Sequence, residues 1–314
     1  MRVLVTGGAG FIGSHLCDRL IDHGASVWCV DNFHLGRRRN IAHLDGNNSF
    51  HFIEMDVLDR PSLGDVFADA KFDAVFHMAA NSDIAAGNAD PELDLRLNQL
   101  TTTTLLETMQ AHGVHRLFFA STSAIFGEAS ANLHEDFGPL QPISFYGASK
   151  LAAEGYVSVY ANLFNIRSVI LRFPNVVGER ATHGVIFDFL RKLENNPAEL
   201  EVLGDGHQTK PYLYVADLID AILLAWEKST APLAVYHAAG IGATSVRDIA
   251  NIVVAAAGTR NTRIRYTGGD RGWPGDVPKF AYDISRLQAL GWQPERHSTD
   301  AVKFALERIL ANGF

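Results

Sequence analysis

Tyr146 and Lys150 stand four residues apart in Tyr146-Gly147-Ala148-Ser149-Lys150, and on a helix that spacing sets both side chains on one face. An ammonium beside a phenol lowers the phenol's pKa, and a phenolate can act as general base on a hydroxyl. Tyrosine–lysine pairs at this spacing are common by chance, with surface pairing as the ordinary explanation. The surroundings give this one more weight. Ser121-Thr122-Ser123 ends an apolar run that reads as a strand, which places hydroxyls at the carboxyl edge of a sheet. Near the amino terminus, Gly7, Gly10 and Gly13 form a G-x-x-G-x-x-G turn, with Phe11 and Ile12 inside it. A strand precedes that turn and a helix follows it. Glycines there let backbone amides approach a pyrophosphate, and the helix N-terminus favours negative charge. The alternative is a tight turn with no ligand. With a dinucleotide bound, its cationic nicotinamide ring would add to the effect of Lys150 on the phenol.

Asp31 lies 18 residues beyond Gly13, at the end of the second strand-like run. A carboxylate in that place accepts ribose hydroxyls and repels a 2′-phosphate, which points to NAD over NADP. Arg37-Arg38-Arg39 just downstream could hold a phosphate, but the run reads as a solvated loop face. Asp56-Val57 follows the third run. Asp56 can reach an adenine amino group or cap the next helix, and both explanations stay open. No metal site is expected.

These groups need a scaffold that brings strand ends together. Strand-like runs occur at Arg2–Thr6, Ser26–Val30, Ser49–Glu54, Ala74–His77, Arg116–Ser121 and Arg167–Arg172. Helical patterns lie at Phe11–His23, Pro61–Asp69, Asp94–His112 and Tyr146–Phe164. This alternation predicts an α/β fold with a doubly wound parallel sheet of Rossmann type, with ligands beyond the carboxyl ends of the strands. After Asn175 the rhythm breaks. Phe187–Asn195 reads as a helix and Leu200–Leu203 as a strand. Leu213–Val215 and Asp217–Lys228 read as a strand and helix returning to the main sheet, and Thr299–Asn312 as a closing helix. We therefore expect a dinucleotide-binding domain of residues 1–174 plus about 212–240, and a smaller, discontinuous substrate domain of about 175–211 plus 241–314.

The 314 residues are 47% hydrophobic and carry a net charge of −8. That supports a sizeable core and offers no basic footprint for nucleic acid. Cys17 and Cys29 are the two cysteines; both read as buried free thiols, in keeping with a reducing cytoplasm. Met1-Arg2-Val3-Leu4-Val5 enters a strand directly, so no signal peptide is expected, and no apolar stretch approaches a membrane span.

The chain resembles the extended short-chain dehydrogenases/reductases, in their nucleotide-sugar epimerase and dehydratase branch. The resemblance rests on TGGAGFIGSHL at Thr6–Leu16, Asp31-Asn32, Asp56-Val57, His77-Met78-Ala79-Ala80, Ser121–Gly127, Tyr146–Lys150, Arg172–Gly178, GDGHQTKPYLYVADL at Gly204–Leu218 and GDVPKF at Gly275–Phe280. These segments follow the family's order over nearly the whole chain. The resemblance implies that Tyr146 is the base and that Lys150 binds the nicotinamide ribose. Thr122 would face the substrate 4-hydroxyl, with Ser123 as a weaker neighbour. Asn32 and Val57 join the cofactor set, Ala79 and Ala80 line the cofactor, and Asn98 supports the active site. Asn175 would contact the sugar diphosphate; Asn81, Val202, Lys210 and Tyr212 complete the substrate side.

The resemblance also bears on the reaction. Family 4,6-dehydratases carry an Asp-Glu pair where this chain has Ser123-Ala124, and the uronic-acid decarboxylases have Glu at the place of Ala124. Alanine supplies no proton, so both reactions are disfavoured. The 3,5-epimerase/reductases use a Cys/His pair, and neither cysteine here is expected near the sheet edge. A 4-epimerase needs only Tyr146, Thr122 and NAD. The implied cycle removes the 4-hydroxyl proton at Tyr146 while C4 is oxidised by NAD. The 4-keto sugar then turns about its diphosphate link and is reduced on the other face. Many relatives have Arg at the places of Lys210 and Trp273, and Arg and Lys are not equivalent at phosphates. Arg271 is expected to take over the pyrophosphate of a UDP-sugar or other nucleotide-sugar substrate. Phe280 matches a gate position where bulk disfavours N-acetylated sugars. His183 reads as a surface-loop residue near the sugar. Family members dimerise through helices corresponding to Asp94–His112 and Tyr146–Phe164, so a homodimer is expected.

Overall fold

The computed structural model describes residues 1–129, 132–258, 261–272, 277 and 280–313. Seven parallel strands form the central sheet. In chain order they are β1 (Arg2–Thr6), β2 (Ser26–Asp31), β3 (Phe50–Glu54), β4 (Ala74–His77), β5 (Arg116–Thr122), β6 (Arg167–Phe173) and β7 (Leu233–His237). Their spatial order is β7-β6-β5-β4-β1-β2-β3. The winding reverses between β1 and β4, which opens a crevice at the carboxyl ends of those two strands. This is the doubly wound Rossmann-type α/β fold that the strand–helix rhythm predicts.

Alternating side chains put one core on each face of the sheet. Val3 and Val5 of β1, Phe76 of β4 and Phe118 of β5 pack with Leu16 and Leu20 of the Phe11–Asp22 helix and with Leu218, Ile222 and Trp226 of the Val215–Lys228 helix. Leu4, Val75, Leu117 and Phe119 face the other way. They meet Leu63 and Phe67 of the Arg60–Ala70 helix, Leu105 and Met109 of the Thr101–Ala111 helix, and Ala153 and Val157 of the Phe145–Phe164 helix. Cys17 and Cys29 are buried free thiols in the first core.

One expectation is corrected. Leu213–Tyr214 does not return to the main sheet; it pairs in parallel with Val176–Val177 outside it. The backbone N–H of Leu213 donates to the carbonyl of Asn175 at 3.1 Å, which holds the returning chain beside the departing one. The following helix does cover the sheet, and it delivers β7 alongside β6, from Leu233 opposite Ser168 to His237 opposite Arg172. Beyond the sheet, the Val185–Asn195, Val246–Ala257 and Ser298–Asn312 helices share a third core with Leu200, Val202, Tyr212 and Tyr214. No helix among the described residues is long and apolar enough to cross a membrane.

Candidate active site

A cleft of about 900 Å³ opens at the carboxyl ends of the strands, between the sheet and the third core. Its floor is the glycine turn. Gly7 has φ +69°, and a Cβ there would stand 2.6 Å from the backbone nitrogen of Ala79. At Gly13 a Cβ would stand 2.1 Å from the carbonyl oxygen of Gly7. Only glycine lets the β1 turn, the β4 loop and the first helix close to this distance. Gly10 begins the Phe11–Asp22 helix with no side-chain cap and no acidic residue in the first turn. The uncapped end lies in the cleft wall with Gly7, Gly10, Phe11, Ile12 and Gly13. A backbone cradle, free donors and the positive end of a helix dipole fit a dinucleotide pyrophosphate.

Asp31 and Asn32 border the same cleft. Asp31 accepts the N–H of Ala9 at 3.0 Å and that of Phe33 at 2.8 Å. Burial pushes its carboxyl up, and those two donors pull it back. Arg37, Arg38 and Arg39 are exposed and stay out of the cleft; Arg38 pairs with Asp45 at 2.7 Å. The two explanations of Asp56 are also separated. Asp59 caps the Arg60–Ala70 helix, while Asp56 accepts the N–H of Leu58 at 2.9 Å and the Asn32 amide at 3.2 Å. Asp56 and Val57 then remain as cleft lining.

Across the cleft stand Tyr146 and Lys150, on the first turns of the Phe145–Phe164 helix that Ser144 caps. The Tyr146 phenol hydrogen-bonds with Thr122. Thr122 is the last residue of β5, and its Oγ1 also accepts the Ala124 N–H at 3.1 Å. Lys150 is 3% exposed and carries its ammonium 4.1 Å above the Phe119 ring. The electrostatics differ from the expectation of a lowered phenol. Burial pushes Tyr146 up to about 12, helped by the charge of Asp94 and opposed by the Thr122 hydrogen bond. Burial also pulls Lys150 down to about 7, against Glu154. For each group the cost of desolvating its charged form outweighs the neighbours that favour that form. Ser123 borders the cleft next to Ala124, so the segment from Thr122 to Gly127 brings no carboxyl to it.

Ala79 and Ala80 line the cleft below this pair. Behind them Thr6 Oγ1 and His77 Nδ1 are 2.6 Å apart, and His77 Nε2 lies 3.1 Å from Thr102 Oγ1. Burial holds His77 near 3, a neutral structural ring. Asn98 and Asn81 are both fully buried and neither lines the cleft. The Asn98 side chain accepts the Asn81 N–H at 2.8 Å and donates to Ser149 Oγ at 2.9 Å. Asn98 thus stands behind the site, and Asn81, expected on the substrate side, stands behind it too.

On the substrate side Asn175, Lys210, Tyr212 and Phe280 reach the cleft. Val202 does not: it is fully buried in the third core, and the neighbouring Leu203 lines the cleft instead. Arg271 is exposed, pairs with Glu128 and stays outside the lining. For the expected pyrophosphate role the guanidinium would have to leave Glu128. Trp273 and Asp276 lie outside the described residues, as does most of Gly275–Phe280. His183 is exposed, but it also borders the cleft, with Nε2 3.2 Å from Ser82 Oγ. Sequence reasoning missed Asp188, Arg191, Lys192 and Asn195, one helical face turned to the cleft. Their i, i+3, i+4, i+7 spacing was the available signal. It also missed Gln208, 1% exposed in the cleft wall.

Comparison with known proteins agrees with this geometry. Residues 3–238 match the model of the NAD dependent epimerase/dehydratase family. A putative UDP-glucose 4-epimerase of Methanocaldococcus jannaschii is 33% identical over 309 residues, covering 96% of both chains. The crystal structure of a UDP-galactose 4-epimerase superposes with a TM-score of 0.88 at 39% identity, covering all of both chains. A dTDP-glucose 4,6-dehydratase from Streptomyces venezuelae, solved with NAD bound, superposes at 0.90 with 26% identity over 99% of this chain and 98% of that one.

Proposed function

Because the chain belongs to the NAD dependent epimerase/dehydratase family, and so is an NAD-dependent enzyme, we propose that it interconverts the C4 epimers of a nucleotide sugar of the UDP-glucose/UDP-galactose type. The observation that carries the reading is the pairing of the Tyr146 phenol with Thr122 at the end of β5, beside an alanine. Dehydration or decarboxylation needs a further acid or base, and the methyl of Ala124 offers none. The relatives named UDP-glucose and UDP-galactose 4-epimerase support the same choice.

In this reading Tyr146 takes the proton of the sugar's 4-hydroxyl and later returns it. Thr122 holds that hydroxyl and the phenol in one hydrogen-bonded line. NAD, when bound, accepts and returns the hydrogen of C4 and brings a positive charge that offsets the burial of the phenol. The Gly7–Gly13 turn, Asp31, Asn32, Asp56, Val57, Ala79 and Ala80 hold the dinucleotide. Lys150 binds its ribose, with Asn98 as a support behind. Asn175, Lys210 and Tyr212 take the UDP-sugar diphosphate and base. Phe280 lines the cleft, and in this reading its bulk at the sugar end favours glucose and galactose over their N-acetylated forms. Residues 1–174 with about 212–240 serve the cofactor, and about 175–211 with 241–314 the substrate.

The test is incubation with UDP-, dTDP- and GDP-sugars without added NAD, read by chromatography. UDP-galactose and UDP-glucose should interconvert with no net NADH. Tyr146→Phe should keep NAD and lose at least about a hundredfold in kcat. A 4-keto-6-deoxy product, or faster turnover of UDP-N-acetylglucosamine, would overturn the assignment.

A further inference from the structure

Asp94 was not among the expected site residues, yet it is 1% exposed and joins three elements of the active site. It ends the short Pro91–Asp94 helix. Its Oδ1 accepts the Asn81 amide at 2.8 Å and the Asn98 amide at 3.0 Å. Asn81 belongs to the loop that presents Ala79, Ala80 and Ser82 to the cleft, and its amide also donates to the Asp83 carbonyl at 3.0 Å. Asn98 lies in the π-helical turn Leu95–Leu100 that continues the helix. Its amide donates onward to Ser149 Oγ, which donates to the carbonyl of Tyr146 at 2.9 Å. One carboxylate oxygen therefore anchors a chain of hydrogen bonds running from the β4 loop to the backbone of Tyr146. The other oxygen, Oδ2, is buried with no hydrogen-bond partner among the described residues. It rests against Gly87, where a Cβ would come within 1.9 Å of it.

A buried carboxylate with one bare oxygen costs free energy that a neutral side chain would not, and a π-turn in a helix is frequent at functional sites. We propose that Asp94 is a positioning residue for the reaction: it locks the β4 loop, the π-turn and the first turn of the Tyr146 helix into one block, and it sets a negative charge behind the phenol. This rests on the reading of Tyr146 as the base. The groups that face the phenol are Thr122 by a hydrogen bond, Asp94 and Tyr282 through space, and Lys150 one turn along the same helix. Of these, Asp94 pushes the phenol up, in the same direction as burial, while Thr122 pulls it down. The charge of Asp83 in turn pushes Asp94 up, next to the larger effect of its own burial.

Asp94→Asn keeps an oxygen to accept from Asn81 and Asn98 and removes the charge. In the NAD-bound protein the ionisation of Tyr146 can be isolated as the difference in tyrosinate absorbance between the protein and its Tyr146→Phe counterpart. With Asp94→Asn that ionisation, and the acid limb of kcat, should both move to lower pH by about half to one unit. Gly87→Ala touches no reacting group but displaces the Asp94 carboxylate. It should lower kcat roughly tenfold or more, with KM within about twofold of the parent. An unmoved tyrosinate titration in Asp94→Asn, or an unchanged kcat in Gly87→Ala, overturns the proposal. If Asp94→Asn does not fold, Gly87→Ala decides alone. If the parent turns over no nucleotide sugar, the proposed reaction fails, and the tyrosinate titration still decides the role of Asp94.

Discussion

At the residue scale, burial moves the two titrating groups of the site away from their ordinary values, Tyr146 upward and Lys150 downward. Lys150 is buried; the Phe119 face under its ammonium and the charge of Glu154 favour the charged form, and burial outweighs them. Its folded value of about 7 lies below its ordinary 10.5, so between those values the unfolded chain binds a proton that the folded chain does not. Stability therefore falls as pH drops from about 10 toward 7, and the loss is complete below 7. Lys150→Met cannot bind that proton. It should raise the melting temperature by about 2 °C or more near pH 6.5, and the gain should shrink toward pH 9. The same variant should lose at least about a hundredfold in kcat. Scanning calorimetry at the two pH values checks the first part; a gain equal at both would show that burial of the ammonium is not the cause. That Tyr146 and Lys150 face one cleft from one helix was legible from four-residue spacing. The upward shift of the phenol was not, because burial is set by what the rest of the chain packs over the helix.

At the element scale, the glycine turn and the strand ends do the positioning. The fingerprint was readable because three elements must meet where no Cβ fits. Gly13→Ala puts a methyl against the Gly7 carbonyl, and the turn must open to take it. NAD affinity should fall at least about tenfold, measured by titration of NADH fluorescence. Gly64→Ala is the contrast. Gly64 lies inside the Arg60–Ala70 helix, and its nearest neighbour to a new Cβ is His112 at 3.8 Å. That change should stabilise by about 0.5–1 kcal/mol and leave NAD binding alone. If both variants bind NAD like the parent, the turn is not the pyrophosphate site. The first six strands were legible because strand-like runs alternate with helical patterns across short connections; even β3, at the sheet edge with one of its five positions buried, stood out in that rhythm. β7 was not read from the sequence; it closes the sheet at the edge opposite β3, and three of its five positions are half-buried. Leu213–Tyr214 misled in the opposite sense. Both residues are buried, but in a two-strand ladder rather than the sheet. On the substrate side Val202 and Leu203 are adjacent, and strand alternation alone decides which faces the core.

At the scale of the whole molecule, none of the described residues covers the outer face of the Phe145–Phe164 helix. Tyr156, Val159 and Leu163 are 48%, 49% and 66% exposed, and their i, i+3, i+7 spacing puts them on one stripe. Leu95 and Leu100 on the neighbouring helical segment are 50% and 43% exposed. Large aliphatic and aromatic side chains clustered in this way mark an interaction surface more often than a solvated one. The two segments pack against each other through Asn98 and Ser149, so they offer a rigid two-helix face. A twofold axis through such a face would bury both stripes in a four-helix arrangement. We propose that this is the homodimer interface. Light scattering coupled to size exclusion should give twice the 34.3 kDa mass of one chain. Leu163→Arg places a charge at the most exposed position of the stripe without disturbing the core beneath it, and it should shift the protein to monomer. Each cleft is lined within a single chain, so the monomer should still bind NAD. Its melting temperature should fall and become independent of concentration, as mass action requires once association is lost. A parent protein that runs as a monomer at micromolar concentration would leave the stripe unexplained and remove the dimer from the account.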